Sequence, residues 1–337
     1  MDSNGAGHRR RVMHVHPTRR CNLACVHCYS WSGPEHSDSQ SASLLSQAIR
    51  EAARLGYQIV SFSGGEPLLF RELPELLEVA KMSGLHTSVV TNGTRSTSEI
   101  WRRSLPFIDT LVLSVDGPPV RHNAVRRSPS AFRQLARAVD DLHESGSRFS
   151  LIHTLCKQSW SHIDWLHAFA TDAGAQLLQL HPIEISGRAK ELLDHGSAAM
   201  TALDSLELMQ VYLYAQLCAT AERSLRLHAD VTHVDVLESC PELFFDAYGE
   251  DRSALPNPLV IEETGMLSPL SYGIDRALSC GDLRERTLLD LMQDDGASWR
   301  IRMQRHCEET RKRLLDAAED TPIFNWYEAL SAAPAPN

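Results

Sequence analysis

Apolar residues along this chain recur with two alternating periods. Short β-branched runs fall at 12–16, 58–62, 86–90, 109–115, 149–155 and 175–183. Between them lie stretches in which apolar residues return every three or four positions, at 44–56, 72–84, 96–105, 130–146 and 160–174. The first pattern predicts strands and the second helices. Four of the five helical stretches close on a glycine, which takes the left-handed cap conformation without a Cβ penalty. Strands separated by helical crossovers pair in parallel, and near-continuous apolar strands belong to sheets covered on both faces. The expectation is an α/β fold, a partial (β/α)6 TIM-like barrel, with a flavodoxin-like open sheet as the alternative.

Beyond residue 184 the alternation stops. Residues 201–222 read as a long amphipathic helix. Residues 258–272 read as two short strands around Gly265, followed by a helix at about 285–306 and a helical tail. This divides the chain into a disordered N-terminus at 1–11, a barrel core at 12–200 and a small α+β C-terminal extension at 201–330.

Composition narrows the function. The chain has 337 residues, 33 basic and 43 acidic, for a net charge of −10. An acidic chain is poorly suited to coat a phosphate backbone, so no nucleic-acid partner is expected. No apolar run reaches the ~18 residues of a membrane span, and no secretory signal opens the chain. A cytoplasmic enzyme is expected, in whose reducing compartment eight cysteines point to metal or redox chemistry before disulfides.

Three of those cysteines, Cys21, Cys25 and Cys28, stand in TRRCNLACVHCYS, spaced C-x3-C-x2-C directly after the first strand. Three cysteines at one fixed spacing arise by chance on the order of 0.005 times in such a chain, so coincidence is a poor account. The C-terminal end of a barrel strand is also where this architecture carries its chemistry. Thiolates hold iron–sulfur clusters, normally four per cubane; three leave one iron open. A zinc site completed by His27 or His36 is the competing reading.

The motif resembles the signature of the radical S-adenosylmethionine (radical SAM) superfamily. The resemblance implies a [4Fe–4S] cluster on Cys21, Cys25 and Cys28 whose open iron is chelated by S-adenosyl-L-methionine. Reductive cleavage of that cofactor would give methionine and a 5′-deoxyadenosyl radical that abstracts a substrate hydrogen. SFSGGEPLL (61–69) is similar to the family's GGEP motif, which assigns Gly64, Gly65 and Glu66 to the methionine ammonium; alone it reads as a strand-to-helix turn. LVLSVDGP (111–118) is similar to a second motif, which assigns Ser114 to the methionyl carboxylate or ribose. Arg126 occupies the place of an arginine that pairs the carboxylate, although Arg121, Arg126 and Arg127 also read as a solvated basic patch. Asn92 faces the same cavity or caps the next helix. In the family an aromatic residue before the third cysteine lies near the adenine. Here His27 takes that place and Tyr29 follows Cys28.

Candidate substrate groups are His16, which shares a strand face with His14, and Glu184. Arg188 is a further candidate lining group. A hydrogen-bonded core histidine is the plainer reading of His16. Residues 258–293 resemble the SPASM or twitch extension of the superfamily, but Pro269 and Leu270 stand where a cysteine is expected. Cys156, Cys218, Cys240, Cys280 and Cys307 are scattered and read as single buried thiols without an auxiliary-cluster motif. The first strand begins about eleven residues in, which leaves no leader-recognition domain ahead of it. A small sugar- or nucleoside-type substrate is therefore favoured, for example in an antibiotic-pathway decarboxylation. A ribosomally made peptide is the alternative, tetrapyrroles are a further class, and a metal-bearing binding module is the remote one. A flavodoxin- or ferredoxin-type reductant is implied as partner.

Overall fold

A computed structural model describes residues 10–197, 199–220, 225–240, 255–294 and 298–332. The expected disorder at 1–11 falls mostly outside these residues, as does most of the C-terminal tail. Seven parallel strands run in chain order: β1 (Val12–Val15), β2 (Ile59–Phe62), β3 (His86–Thr91), β4 (Thr110–Ser114), β5 (Phe149–Leu155), β6 (Leu177–Pro182) and β7 (Arg226–Ala229). Sequential order is that of a barrel. A flavodoxin-like sheet would place the second strand at an edge, before the first, and is excluded.

Helices α1 (Ala42–Leu55), α2 (Leu73–Met82), α3 (Glu99–Ser104), α4 (Pro119–Arg126), α5 (Ala131–Glu144), α6 (Lys157–Trp160), α7 (Ile163–Asp172) and α8 (Gly187–Asp194) fill the connections. Gly56 caps α1 at φ +89°, its N–H donating to the carbonyls of Ala52 and Ala53, as its place in the sequence predicts.

Parallel register sets the two faces. Met13, Val60 and Thr87 are partners, as are Val15, Phe62, Val89, Leu111 and Phe149. These layers pack with Leu45, Ile49, Leu76, Leu77 and Leu135 of the helices in one buried core. The opposite face, which becomes the interior of the partial barrel, is hydroxyl-rich. His14, Ser61, Ser88 and Thr110 form one layer, and Ser114, Ile152, Gln179 and His228 another. Thr154 and His181 lie beyond them.

The C-terminal region adds to the same sheet. β9 (Leu259–Ile261) pairs in parallel with β1. β10 (Met266–Pro269) returns antiparallel to β9, and β11 (Gly281–Asp282) borders β10. The hairpin expected around Gly265 is thus present, at φ +89°, and it docks on the first barrel strand. A two-stranded sheet of β8 (Thr232–His233) and β12 (Ile323–Phe324) lies apart from it.

Two expectations need correction. Helix α9 (Ser205–Thr220) begins four residues later than expected, with residues 221 and 222 outside the described residues, and is not amphipathic. Leu208, Val211, Ala215 and Cys218 face the core, yet Leu206, Leu213 and Leu217 on the other side are exposed. The apolar residues were too many for one face. The helix expected at 285–306 is two, Leu288–Met292 and Ser298–Asp316. The first has its C-cap at Gln293, before residues 295–297, which lie outside the described residues.

Candidate active site

The segment after β1 has no regular structure, so its backbone polar groups need partners elsewhere. Two short bridges, Thr18 with Ser39 and Arg20 with Gly33, fold it back on itself. The GGEP turn after β2 locks it. Gly65 N–H donates to the Thr18 carbonyl and Glu66 N–H to the Arg20 carbonyl, both at 2.9 Å. A Cβ at Gly65 would lie 2.2 Å from the Arg20 oxygen, and Gly64 takes φ +104°. The close approach that the two glycines permit is therefore made to the cysteine loop itself.

Within the loop, Cys21, Leu23 and Cys25 pack as one cluster with Cys28 against it. Each sulfur has donors aimed at it. Cys21 Sγ faces Leu23 N–H at 3.4 Å and Asn92 Nδ2 at 3.9 Å. Cys25 Sγ faces an Arg126 guanidinium nitrogen at 3.7 Å. Cys28 Sγ faces Ser32 N–H at 3.2 Å, with Ser30 Oγ at 3.5 Å. Burial pushes the Cys25 thiol up to about 11, with Arg126 opposing, and raises Cys21 further. A coordinating thiol, by contrast, is held deprotonated by its metal. Donors converging on poorly accepting thiols fit sulfurs that carry thiolate charge on a cluster. The zinc reading fits less well. His27 Nε2 lies 3.2 Å from Asp116 and His36 Nε2 3.3 Å from Glu35.

Glu66 is 1% exposed. Its carboxylate accepts from Leu68 N–H at 3.1 Å, Thr91 Oγ1 at 2.7 Å and Asn92 N–H at 3.0 Å. A carboxylate offers about four acceptor sites, so one remains for a ligand. Burial raises its pKa against those donors. Asn92 is neither purely a cap nor a lining residue: Oδ1 accepts from Thr94 N–H at 2.9 Å while Nδ2 reaches Asn22 and Cys21.

Ser114 ends β4 half-buried on the barrel interior. Two residues on, Asp116 accepts from Arg126 Nε at 2.5 Å and faces His27 through the same Oδ2, leaving a buried Oδ1 without a partner. Burial alone would raise this carboxyl, but Arg126 and then His27 hold it well below the usual range. Arg126 is thus buried and ion-paired, not part of a solvated patch. Asp116 was legible in the sequence only as a turn residue; its place in SVDGP was the available signal.

Around the mouth, His16 stacks on Tyr272 at 4.6 Å and 14°, and Tyr29 meets Tyr272 edge-on at 5.5 Å. His16 Nε2 bonds Ser63 Oγ at 3.0 Å, but Nδ1 is buried without a partner, so His16 is not a fully satisfied core histidine. Burial, helped by His14, lowers its pKa to about 3. Tyr272, from the turn after β10, donates to Glu263 at 2.9 Å; nothing in the sequence placed it here. Across the mouth, Glu184 lies 3.3 Å from His181 Nε2, whose Nδ1 is 2.8 Å from Asp230. Burial opposes charge on His181, but these two carboxylates raise its pKa to about 10. Arg188 does not line the interior: its guanidinium turns back to the carbonyls of Cys25 and Ser32. Of the remaining thiols, Cys280 and Cys307 lie in the apolar core, and Cys156 sits against Met200.

Three cysteines of one loop thus lie beside a carboxylate-bearing glycine turn at the mouth of the barrel. The sequence model described as the radical SAM superfamily matches residues 15–170. The Fe-coproporphyrin III synthase of Methanosarcina barkeri is 24% identical over 82% of this chain and 72% of its own length. The S-adenosylmethionine-dependent nucleotide dehydratase of Lacinutrix mariniflava is 25% identical over 51% of this chain and 39% of its own. In fold, the crystal structure of Streptococcus suis SuiB bound to precursor peptide SuiA superposes with a TM-score of 0.65 at 18% identity. That match covers 88% of this chain and 66% of SuiB. Residues 15–170 of the chain are a radical SAM domain. The protein is an enzyme whose cofactors are a [4Fe–4S] cluster and S-adenosyl-L-methionine.

Proposed function

We propose that this enzyme generates a 5′-deoxyadenosyl radical at the mouth of the barrel and directs it at a hydrogen of a small sugar- or nucleoside-type substrate. Cys21, Cys25 and Cys28 would hold the cluster, which would supply the electron for reductive cleavage of the sulfonium. The chain's own residues bind and orient. Gly64, Gly65 and Glu66 hold the ammonium end of the cofactor, Ser114 and Arg126 its carboxylate or ribose, and His27 and Tyr29 the adenine side. His16 and Glu184 face the substrate, and the walls exclude water and stray hydrogen donors. The observation that carries this reading is the three gathered, donor-ringed sulfurs with the GGEP turn locked against them.

The interior supports the substrate class. Its layers carry Ser61, Ser88, Thr110, Ser150 and Thr154. Its rim carries Glu184 and Asp230, with His181 as a cation shared between them, while Glu263 accepts from Tyr272 and the buried Glu262 is paired with Arg276. Such a rim favours neutral, hydroxyl-bearing ligands over polycarboxylated tetrapyrroles or nucleoside phosphates. A peptide substrate is the second reading, supported by the fold shared with a protein solved with its precursor peptide.

Among the described residues no helix is long and apolar enough to cross a membrane. A cytoplasmic setting, where the thiols stay reduced and a flavodoxin- or ferredoxin-type donor supplies electrons, follows from the same reading. So does a 201–330 extension of SPASM or twitch type that closes the barrel edge without iron of its own.

The test is 5′-deoxyadenosine formation by anaerobically reconstituted, reduced protein. Wild type should release it, and Cys25→Ala should lose both iron and product. A fully reconstituted wild type that releases none would overturn the proposal. Mass spectrometry of candidate nucleosides and sugars, against any short peptide encoded beside the gene, separates the two substrate readings.

A further inference from the structure

Five residues past the end of β6 the chain turns back toward the cysteine loop. Gly187 opens α8 at φ +51°, and a Cβ there would lie 2.4 Å from the Cys28 carbonyl and 2.3 Å from that of Tyr29. Arg188 follows. Its backbone N–H donates to the Cys28 carbonyl at 3.0 Å. Its two terminal nitrogens donate to the carbonyls of Cys25 and Ser32, each at 2.7 Å. The side chain is 6% exposed and lies over the Trp31 ring at 5.6 Å. Three carbonyls of an irregular, largely buried loop thus find close donors on one residue of a distant helix, beside the longer 3.3 Å bonds that the Cys25 and Cys28 carbonyls accept from Cys28 N–H and Trp31 N–H within the loop. A planar fork with fixed donor geometry suits this task in a way an ammonium does not.

We propose that Gly187 and Arg188 are a clamp that holds residues 25–32 in the conformation that gathers the cysteine sulfurs, with Arg188 a positioning residue for the cluster. The idea rests on the functional reading above for the identity of the cluster, but not for the order of the loop. The buried guanidinium also sets a positive charge beside the loop, which the exposed Glu35 carboxylate 3.9 Å away offsets only in part. Since a cluster gains one negative charge on reduction, that charge favours the reduced form.

The experiment uses the full chain and the variants Arg188→Gln, Arg188→Lys and Gly187→Ala. In iron-free protein, alkylation of Cys25 and Cys28 by iodoacetamide is followed by peptide mass spectrometry. Loss of the charge-assisted hydrogen bonds in Arg188→Gln should speed it by about tenfold or more, with a smaller rise in Arg188→Lys. Gly187→Ala, which keeps the guanidinium but forces the helix off the loop, should show the same rise. After anaerobic reconstitution, cluster affinity should fall about 10–100-fold in Arg188→Gln, the usual cost of losing an outer-shell partner. The midpoint potential of the remaining cluster should move negative. Wild-type alkylation rates together with wild-type iron retention in Arg188→Gln would overturn the clamp. Should that variant fail to fold, Gly187→Ala decides on the same two readings. Alkylation is read without iron, so the clamp stands or falls even if wild type releases no 5′-deoxyadenosine.

Discussion

Asp116 shows how much depends on one side chain at this site. A single carboxylate oxygen neutralises Arg126 and orients His27, and Arg126 in turn points at Cys25 Sγ. All three groups are largely out of water, so the pair cannot be broken cheaply. Asp116→Asn leaves the guanidinium buried with its charge uncompensated, which typically costs about 3–5 kcal/mol. The expected outcome is a melting temperature lowered by several degrees in iron-free protein, with weaker cofactor binding in the reconstituted enzyme. Calorimetry and equilibrium dialysis check the two parts, and an unchanged melting temperature would show that the ion pair is not structural. The motif SVDGP marked the position in the sequence, but an Asp-Gly pair is equally a turn signal. Only the partner ten residues on distinguishes the two roles.

At the scale of elements, the site is a contact between two loops. The cysteine loop and the GGEP turn follow neighbouring parallel strands, so both emerge at the same end of the sheet, within backbone reach. Gly65→Ala tests that contact directly. The added methyl would meet the Arg20 carbonyl at 2.2 Å, a distance that backbone atoms relieve only by moving the loop. Iron per chain after reconstitution should fall by about tenfold, on the scale of lost second-shell support. Iron binding equal to wild type would mean that the turn is not what holds the loop. The glycines were legible as a close approach; what they approach was not, since the Arg20 carbonyl is 45 residues away in the chain. Helix α9 makes the opposite point. Its apolar content was plain in sequence, but with Leu206, Leu213 and Leu217 exposed the helix is apolar on both sides, and the amphipathic reading does not hold.

The whole molecule carries several histidines whose surroundings disagree with water. Burial lowers His14, His122 and His153 to about 4 and His16 to about 3. Unfolded, each binds its proton near 6.5. Below that pH the unfolded chain takes up protons that the folded chain refuses. Stability is therefore full above about 6.5 and falls as pH drops toward 4, by up to about 1.4 kcal/mol per pH unit for each histidine. His181 acts in the other sense. Raised to about 10, it stabilises fully below about 6.5, and its contribution is lost as pH rises toward 10. Urea midpoints of iron-free protein should therefore peak near neutrality and decline on both sides. A flat profile between pH 7 and 5 would show that these imidazoles are not held neutral.

Sequence by itself determined the class of fold and the nature of the chemistry. Strand and helix periods are local, each motif is written within about a dozen residues, and three cysteines at fixed spacing need no tertiary context to be seen. Tertiary structure decided what these residues meet. The extra strand β7, the hairpin docked on β1, Tyr272 against His16, and Arg188 behind the cysteine loop join positions tens to hundreds of residues apart. Such contacts come from the register of a closing sheet and the packing of its edges, and no local pattern encodes which distant carbonyl a side chain will reach.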